Sequence, residues 1–533
     1  MKTAFQFLQM IGFLLVLTTG KSQPISVGFA NAFGTTGQNT GYDVESALNG
    51  ETITVGSYTG AFSFGTIPMA SQGGTEGFVV KSDPNGNYLW AKALSSTGND
   101  LISKVSLDAL GNVYIVGEHE STATFDGNTL TNNEGKNAFV AKLNPDGNVV
   151  WQRSIGNELD AKFTSLNLDG NGNVYAYGDF NGTLNLDASV LTSVDEKNLF
   201  LVKLSNVGVV AWAKSFGKKF DNSSDVWVNP IGESFLTGGF LGRLILGTDT
   251  LFSNGLSDVF VARLDVNGNF IWARSIGGSQ TDNCFSIVGD SDNNVYFSAV
   301  YMGSLTLGGN SYESNGQWDV LTAKYSSNGV PLWSTSFGGS ANDRANEVQL
   351  DASGNLLVTG WFQDTMQVGP SNLISKGNFD VFVATISSSG VPLLCHSFGG
   401  TSQDVGAGIG IDGTGNLYLT GNFFSTDFVV GTVSVPNPIG TKVFLIKLGS
   451  SSTSIQQEWV SGSLINQRTF DNYVELESLQ DGDLLVSNLK GQIIYQGPLR
   501  SKTPIRIPRG KEILFYAFGV GNQNPQVGKI AGF

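Results

Sequence analysis

The sequence predicts an all-β protein, a seven-bladed β-propeller followed by a small β-sandwich-like domain. Three observations carry that prediction. A glycine closing a strand-like phrase recurs at Gly56, Gly117, Gly178, Gly238, Gly360 and Gly421, with Ala299 in the fifth place, at steps of 60 or 61 residues. Within each step, period-two alternation of Phe, Val and Tyr is broken by Asn-Gly and Gly-Asn turns, the signature of short antiparallel strands. After Leu448 the repeat stops and a different strand pattern begins.

The elements follow in order. Residues 1–22 read as a secretory signal: Lys2 is the basic start, Ile11-Gly-Phe-Leu-Leu-Val-Leu17 the apolar segment, and small polar residues follow to Ser22. No later run approaches the ~20 apolar residues of a membrane helix, so the mature chain is expected to have no transmembrane segment. Residues 25–448 form the propeller. In its first full unit Tyr42-Asp-Val-Glu-Ser-Ala-Leu48 alternates, Asn49-Gly50 turns, and Thr52-Ile-Thr-Val-Gly-Ser-Tyr58 alternates again. A Gly-rich loop leads to Gly77-Phe-Val-Val-Lys81, and Asp83-Pro-Asn-Gly-Asn87 turns the chain into Tyr88-Leu-Trp-Ala-Lys-Ala-Leu94. Four strands per unit, arranged radially, bury each sheet against its neighbours.

The last strand of each unit carries Trp90, Trp151, Trp212, Trp272 and Trp333, with Leu394 sixth. One step before Trp90 stands Phe29, and Phe29-Ala-Asn-Ala-Phe33 mirrors Trp333-Ser-Thr-Ser-Phe337. Phe29 and Phe33 are therefore expected to lie on an N-terminal strand that completes the last blade and protects two sheet edges. Ile455-Gln-Gln-Glu-Trp-Val460 is the alternative closing strand, although its spacing from Lys447 is off by three residues. The third strand carries a basic residue in six of the seven units, as at Lys81, Lys142 and Lys203, with Thr385 in the sixth, and it is expected to lay its stem on apolar surface and its charge in water. Residues 449–463 read as a linker and residues 464–533 as a small all-β domain, with a hairpin from Leu484 to Gln496.

Two resemblances follow from these residues. The Asp-x-x-Gly-Asn-x-Tyr-x-x-Gly, Phe-Val-Ala-Lys-Leu and Gly-Asn-x-x-Trp phrases resemble the seven-bladed propeller repeats (SBBP repeats) of large bacterial secreted proteins, a family that implies no single activity. The tail, through Leu484-Leu-Val-Ser-Asn-Leu-Lys-Gly-Gln-Ile-Ile-Tyr-Gln-Gly497, Ile507-Pro-Arg-Gly510 and Gly528-Lys-Ile530, is similar to the type IX secretion sorting domain of Bacteroidetes. That resemblance implies secretion machinery as a partner, passage across the outer membrane, cleavage of the tail, and release or attachment at the cell surface. The chain departs from the pattern at Gly510-Lys-Glu-Ile-Leu-Phe515 and in its final Ala531-Gly-Phe533.

Bulk chemistry narrows the function. A formal net charge of -15 argues against a nucleic-acid partner, whose phosphates want a positive surface. Two cysteines, Cys284 and Cys395, sit at different phases of the repeat and are expected to be unpaired and buried. The turns Asp108–Asn112, Asp169–Asn173, Asp351–Asn355 and Asp412–Asn416 read as scaffolding, because Asx side chains bond their own backbone two residues on. Calcium at Asp169-Gly-Asn171-Gly-Asn173 is the competing reading; the sixth position there is Val174 and the twelfth Phe180, where a calcium loop has Gly and Glu. No metal site and no other cofactor is expected.

A second recurrent acid, at Asp100, Asp160, Asp221, Asp282, Asp343 and Asp404, reads either as a rim of carboxylates or as caps on turn amides. Function is expected where the repeat breaks, at Glu118, His119 and Glu120, at Trp361 and in the non-repeating tail, and Trp361, Tyr301 and Tyr58, in the loops after second strands, are candidate exposed aromatic platforms for a glycan. Glu118 and Glu120 share one strand face rather than opposing each other across a substrate, so they do not form an acid–base pair. Cys395 and His396 are neighbours on an outer strand, pointing to opposite faces, so they do not form a nucleophile–base pair. No catalytic residue is expected. The reading is a secreted or surface-held ring, non-catalytic, binding a protein, glycan or envelope component. A glycan-cleaving enzyme and a structural subunit of a surface assembly are the alternatives.

Overall fold

The computed structural model describes residues 26–449 except 133–134, 157–158, 195–196, 218–219 and 438–439, together with the strands of the tail between 465 and 530. The signal segment and Ile455–Val460 lie outside the described residues. The chain divides into two units, Met1–Ser450 and Ser451–Phe533. The described residues contain strands and turns and no helix. In the second unit two antiparallel sheets, of three and four strands, include the hairpin of Gly482–Asn488 with Ile493–Leu499.

The first unit is a ring of seven four-stranded blades. Blade one runs Asn39–Ser46, Thr52–Thr59, Thr75–Ser82 and Tyr88–Ser95 from the axis outward, and the pattern repeats through blade six, which ends at Pro392–Phe398. Blade seven contributes Asp404–Ile411, Leu417–Phe423 and Lys442–Leu448, and its outer strand is Val27–Phe33. Phe29 pairs with Lys447 and Phe33 with Val443, so the first strand of the ring bonds to its last. The core is not one body but seven clusters, one at each blade-to-blade interface, with Phe78, Phe139, Phe200, Phe260, Phe382 and Phe444 at 0% exposure.

The Gly-rich loop between second and third strands is more ordered than the sequence suggests. It holds a second hairpin, such as Thr183–Leu186 with Ser189–Thr192 or Thr365–Val368 with Ser371–Ile374. Its inward residues, Leu184, Leu186, Met366 and Val368, extend the interface cores. These segments are only three or four residues long, too short for alternation to declare itself against the surrounding Gly and Ser.

The recurring glycine has a steric cause. Every inner strand has a bulge at the same place, between Ile102 and Lys104 in blade two and between Ala345 and Glu347 in blade six. The bulge presses an inner-strand carbonyl onto the second strand. A Cβ on Gly117 would stand 1.9 Å from the Leu101 oxygen, and one on Gly360 1.9 Å from that of Arg344. The tryptophans bind one blade to the next. Trp90, Trp151, Trp272 and Trp333 donate their indole N–H to the Pro145, Asn206, Ser327 and Ser388 carbonyls of the following blade's turn, at 2.9–3.0 Å. Each lies on a turn glycine, as Trp151 does on Gly208 at φ +81°. Phe29 takes that place at the closure, packed on Gly86, while Asn31 donates to the Gly86 carbonyl at 2.7 Å.

The basic residue of the third strand corrects its sequence reading. Its charge is not in water. Lys203 reaches Asp169 at 3.4 Å with its ammonium over the Tyr175 ring, and Lys324 reaches Asp290 at 3.1 Å over Tyr296. The lysine side chains in these pairs are only 16% and 14% exposed. The ammonium is thereby held between a carboxylate and a π face.

Candidate functional site

The bulged inner strands bring one residue from each blade to a common level around the axis: Asp43, Lys104, Ser165, Asp225, Ser286, Glu347 and Gly408, each 60 or 61 residues after the last. Most act as latches. The side chain of one blade accepts the backbone N–H that follows this position in the next blade. Val105 donates to Asp43 at 2.9 Å, Ile287 to Asp225 at 2.9 Å, Val348 to Ser286 at 3.3 Å and Ile409 to Glu347 at 2.7 Å. Lys104 instead crosses the axis, lying 3.4 Å from Asp43 of blade one and bonding Glu347 of blade six. Burial opposes its charge, but Asp43, Glu347 and Asp225 outweigh it and hold the ammonium well above the ordinary lysine range. Glu45, buried beside Asp43, is pushed up to about 7.

Before this level on the inner strands, the axis opens into a cavity of about 500 Å³ lined by six of the seven blades. The bulged residues Tyr42, Ser103, Thr164, Phe285, Asn346 and Ala407 face it. So do Lys162 and Arg344. The Arg344 guanidinium lies 3.9 Å from the centre of the Phe285 ring. Lys162 stands 3.5 Å from Asp179. Asn346 donates to the Gly406 carbonyl at 2.7 Å and Ser103 to that of Phe163 at 3.0 Å, so part of the polar lining is committed to holding neighbouring blades. A second cleft of about 600 Å³, between blades seven and one on the outer side, has no charged residue in its wall.

The residues expected from the sequence separate here. Glu118 lines the cavity and binds Lys136 at 2.7 Å. Glu120 lies 3.5 Å from the same ammonium and accepts from Asn99 N–H and Nδ2 at 3.0 and 2.9 Å, so both acids converge on one cation. His119 points elsewhere. It is fully buried, with Nδ1 donating to the Ser121 carbonyl and Nε2 2.8 Å from Ser154 Oγ, and burial lowers its pKa. Trp361 occupies the same repeat position as Glu118, pairs with Arg344 across the strands and packs on Phe379 at 4.5 Å. Tyr301 and Tyr58 are 1% and 0% exposed, Tyr301 bonding Ser336 and Tyr58 the Ala70 carbonyl. Neither is an exposed platform, because this position of the second strand lies between blades.

The repeated acids are built into turns. Asp108 accepts from Leu110 and Asn112 N–H at 3.0 and 2.9 Å and from Asn112 Nδ2 at 2.8 Å. Asp351–Asn355 and Asp412–Asn416 repeat that pattern. At the position weighed for calcium, Asp169 accepts from Asn171 and Asn173, and Lys203 stands beside it. Among the described residues no three His, Cys, Asp or Glu side chains are arranged to hold a metal. Of the second acids, Asp100, Asp282, Asp343 and Asp404 are buried caps, not an exposed rim: Asp343 accepts from Gly339 at 2.6 Å and Gln363 at 3.3 Å, and Asp404 from Gly400 at 2.8 Å. Asp160 is exposed, and the Asp221 side chain lies outside the described residues. Cys284 and Cys395 are buried and unpaired.

Arg344, Phe285, Tyr42 and Asn346 escaped the sequence reading. A signal existed: with the seven units in register, the columns on either side of the Gly41/Ile102/Phe163 position vary while the strands around them repeat.

No family model matches the chain. Over 399 residues it is 25% identical to an uncharacterized WD repeat-containing protein of Acanthamoeba polyphaga mimivirus, covering 60% of this chain and 28% of that protein. The chain thus spans little more than a quarter of the relative's length. Among solved structures, the WD40 domain of Neurospora crassa Pan2 aligns at 9% identity and a TM-score of 0.43, covering 80% of this chain and 96% of that one. A protein of unknown function from Bacteroides caccae aligns at 9% identity and a TM-score of 0.32, covering 60% and 89%. The seven-bladed ring is read from the strand pairing of the chain itself.

Proposed function

We propose that the protein is a non-catalytic binding ring that holds a protein, glycan or envelope component at its axial mouth. The observation that supports this most is the axial cavity, where side chains diverge from blade to blade on a scaffold that otherwise repeats. Such a site, concave and carrying a few convergent polar groups among apolar walls, is built for recognition. The ring surrounds it with backbone pairing on every side, so the site is rigid before a ligand arrives.

The same proposal places the protein outside the cell, secreted or held at the outer-membrane surface, with the tail engaging type IX secretion machinery. The signal-like residues 1–22 and the sorting-like text of the tail support that part. Fractionation of the producing cells with intact-mass analysis tests it. A mature species starting near Gln23 and ending at about 450–465 is expected, and full-length protein retained in the periplasm overturns it. Peptide and glycan arrays probed with the mature ring test the binding role. Turnover of an arrayed glycan, in place of retention, would turn the reading to the glycan-cleaving alternative.

A further inference from the structure

Arg344 is the odd charge of the ring. The chain has 45 acids to 30 basic residues, and its other part-buried arginines are engaged. Arg153 makes a two-pronged pair with Asp187 through Nη1 and Nη2, Arg263 donates from Nη2 to both oxygens of Glu233, and Arg274 donates to the Gly329 and Ala273 carbonyls. Arg344 faces the axial cavity with no hydrogen-bond or carboxylate partner among the described residues, and its enclosed Nε–H is unmet. The Phe285 ring lies against the guanidinium, its centre 3.9 Å from the central carbon. Contact of this kind fixes the fork of donors while leaving its edge free for a planar, two-oxygen acceptor. An unpaired guanidinium withdrawn from water is costly unless something completes it.

The shape of the axis says what kind of carrier that acceptor has. At the next level along the inner strands Lys104 spans from blade two to blade six, so the axis is crossed by a side chain rather than open. A ligand entering the mouth meets this barrier and must present an end, not the middle of a chain. Arg344 covers one face of Phe285, which leaves a sugar ring less aromatic surface to stack on. We propose that Arg344 is the receptor for the α-carboxylate of a protein C-terminus, seated in the axial mouth with its last side chain against Leu101, Val405 and Tyr42. This rests on the binding-ring reading and names its ligand.

The test uses the full ring and a display library of six-residue peptides ending in free carboxylates. The enriched peptides are remade as free acids and as C-terminal amides, and their affinities measured by fluorescence anisotropy. Tight binding of the acids, at least tenfold weaker binding of the amides, and a similar loss with Arg344→Gln are expected. Arg344→Lys should recover only part of it. Melting temperatures of both variants should match or exceed the parent, which separates lost recognition from lost folding. Equal affinity of acid and amide, or binding untouched by Arg344→Gln, overturns the proposal while leaving a peptide-binding ring. No enrichment from the library overturns it too. Saturable binding of glucuronate, lost in Arg344→Gln, would then assign the site to an acidic sugar and keep the binding-ring reading; no binding of either would end both.

Discussion

At the residue scale, the chain invests its charges inward. Lys104 is the one cation at a level holding Asp43, Asp225 and Glu347, and it is 21% exposed. Removing it leaves buried carboxylates facing one another. Lys104→Met is expected to destabilise the ring by about 3–5 kcal/mol in denaturant melts, because breaking a buried pair strands its partner. The triple variant that also carries Asp43→Asn and Glu347→Gln should regain most of that loss; if it does not, the cation contributes by packing rather than charge. The capping acids make a second prediction. Burial raises Asp100 and Asp343 to about 7 and Asp282 to about 6, above the ~3.8 expected of an unfolded chain. In that window the folded state binds protons that the unfolded state does not, so stability falls as pH rises from about 4 to 7. The turn acids act oppositely. Burial works to raise Asp108 and Asp412 as well, but their Asn and backbone donors prevail and hold them low, contributing stability that disappears on acidification below about 4. Thermal melts should therefore show greatest stability near pH 4, with a decline toward pH 7 that Asp343→Asn makes shallower. Stability rising steadily to pH 8 would show these acids ionised in the fold.

At the element scale, the unit of construction is a strand fitted to its neighbour blade. The repeated glycine is there because the inner-strand bulge pushes a carbonyl over it. Gly178→Ala puts a Cβ 1.9 Å from the Lys162 oxygen and is expected to cost about 1–3 kcal/mol by overpacking, read as a lower denaturant midpoint. In blade five Ala299 fills this position, so Ala299→Gly should be far milder than the reverse change elsewhere. The Trp-on-glycine contact is the outer counterpart of the inner latches. Much of this was legible in the text: the Gly recurs in six blades, the Trp in five and the Asp-x-x-Gly-Asn turn in four, because each does the same job wherever it stands. The hairpin after the second strand was not legible, being shorter than one reliable alternation. The burial of Tyr301 and His119 was not legible either. His119 breaks an aromatic column that Tyr301 shares with Tyr58, Phe180, Phe240, Phe362 and Phe423, but a break in sequence marks a site only if the side chain faces open space, and this position lies between two blades.

At the scale of the whole molecule, stability is a property of closure. Each blade-to-blade interface has its own cluster, and the one between blades seven and one takes Phe33 from the strand Val27–Phe33 that pairs with Lys442–Leu448. Deleting residues 26–33 exposes the edge of that sheet and uncovers Phe64, Phe78 and Tyr88, which pack on Phe33. Loss of cooperative unfolding, or concentration-dependent association through the free edge, is expected in light scattering and melts. A truncated ring that stays monomeric with an unchanged midpoint would mean side-chain packing closes it without the strand. Sequence by itself determined the all-β class, the number of blades, the strand that closes them and the scaffolding role of the turn acids, because each follows from local alternation and a fixed period. Only the tertiary structure decided what stands at the axis. Arg344, Phe285 and Tyr42 are far apart along the chain and share no motif. They meet because each blade bulges at the same residue, and a ring turns seven such positions toward one line.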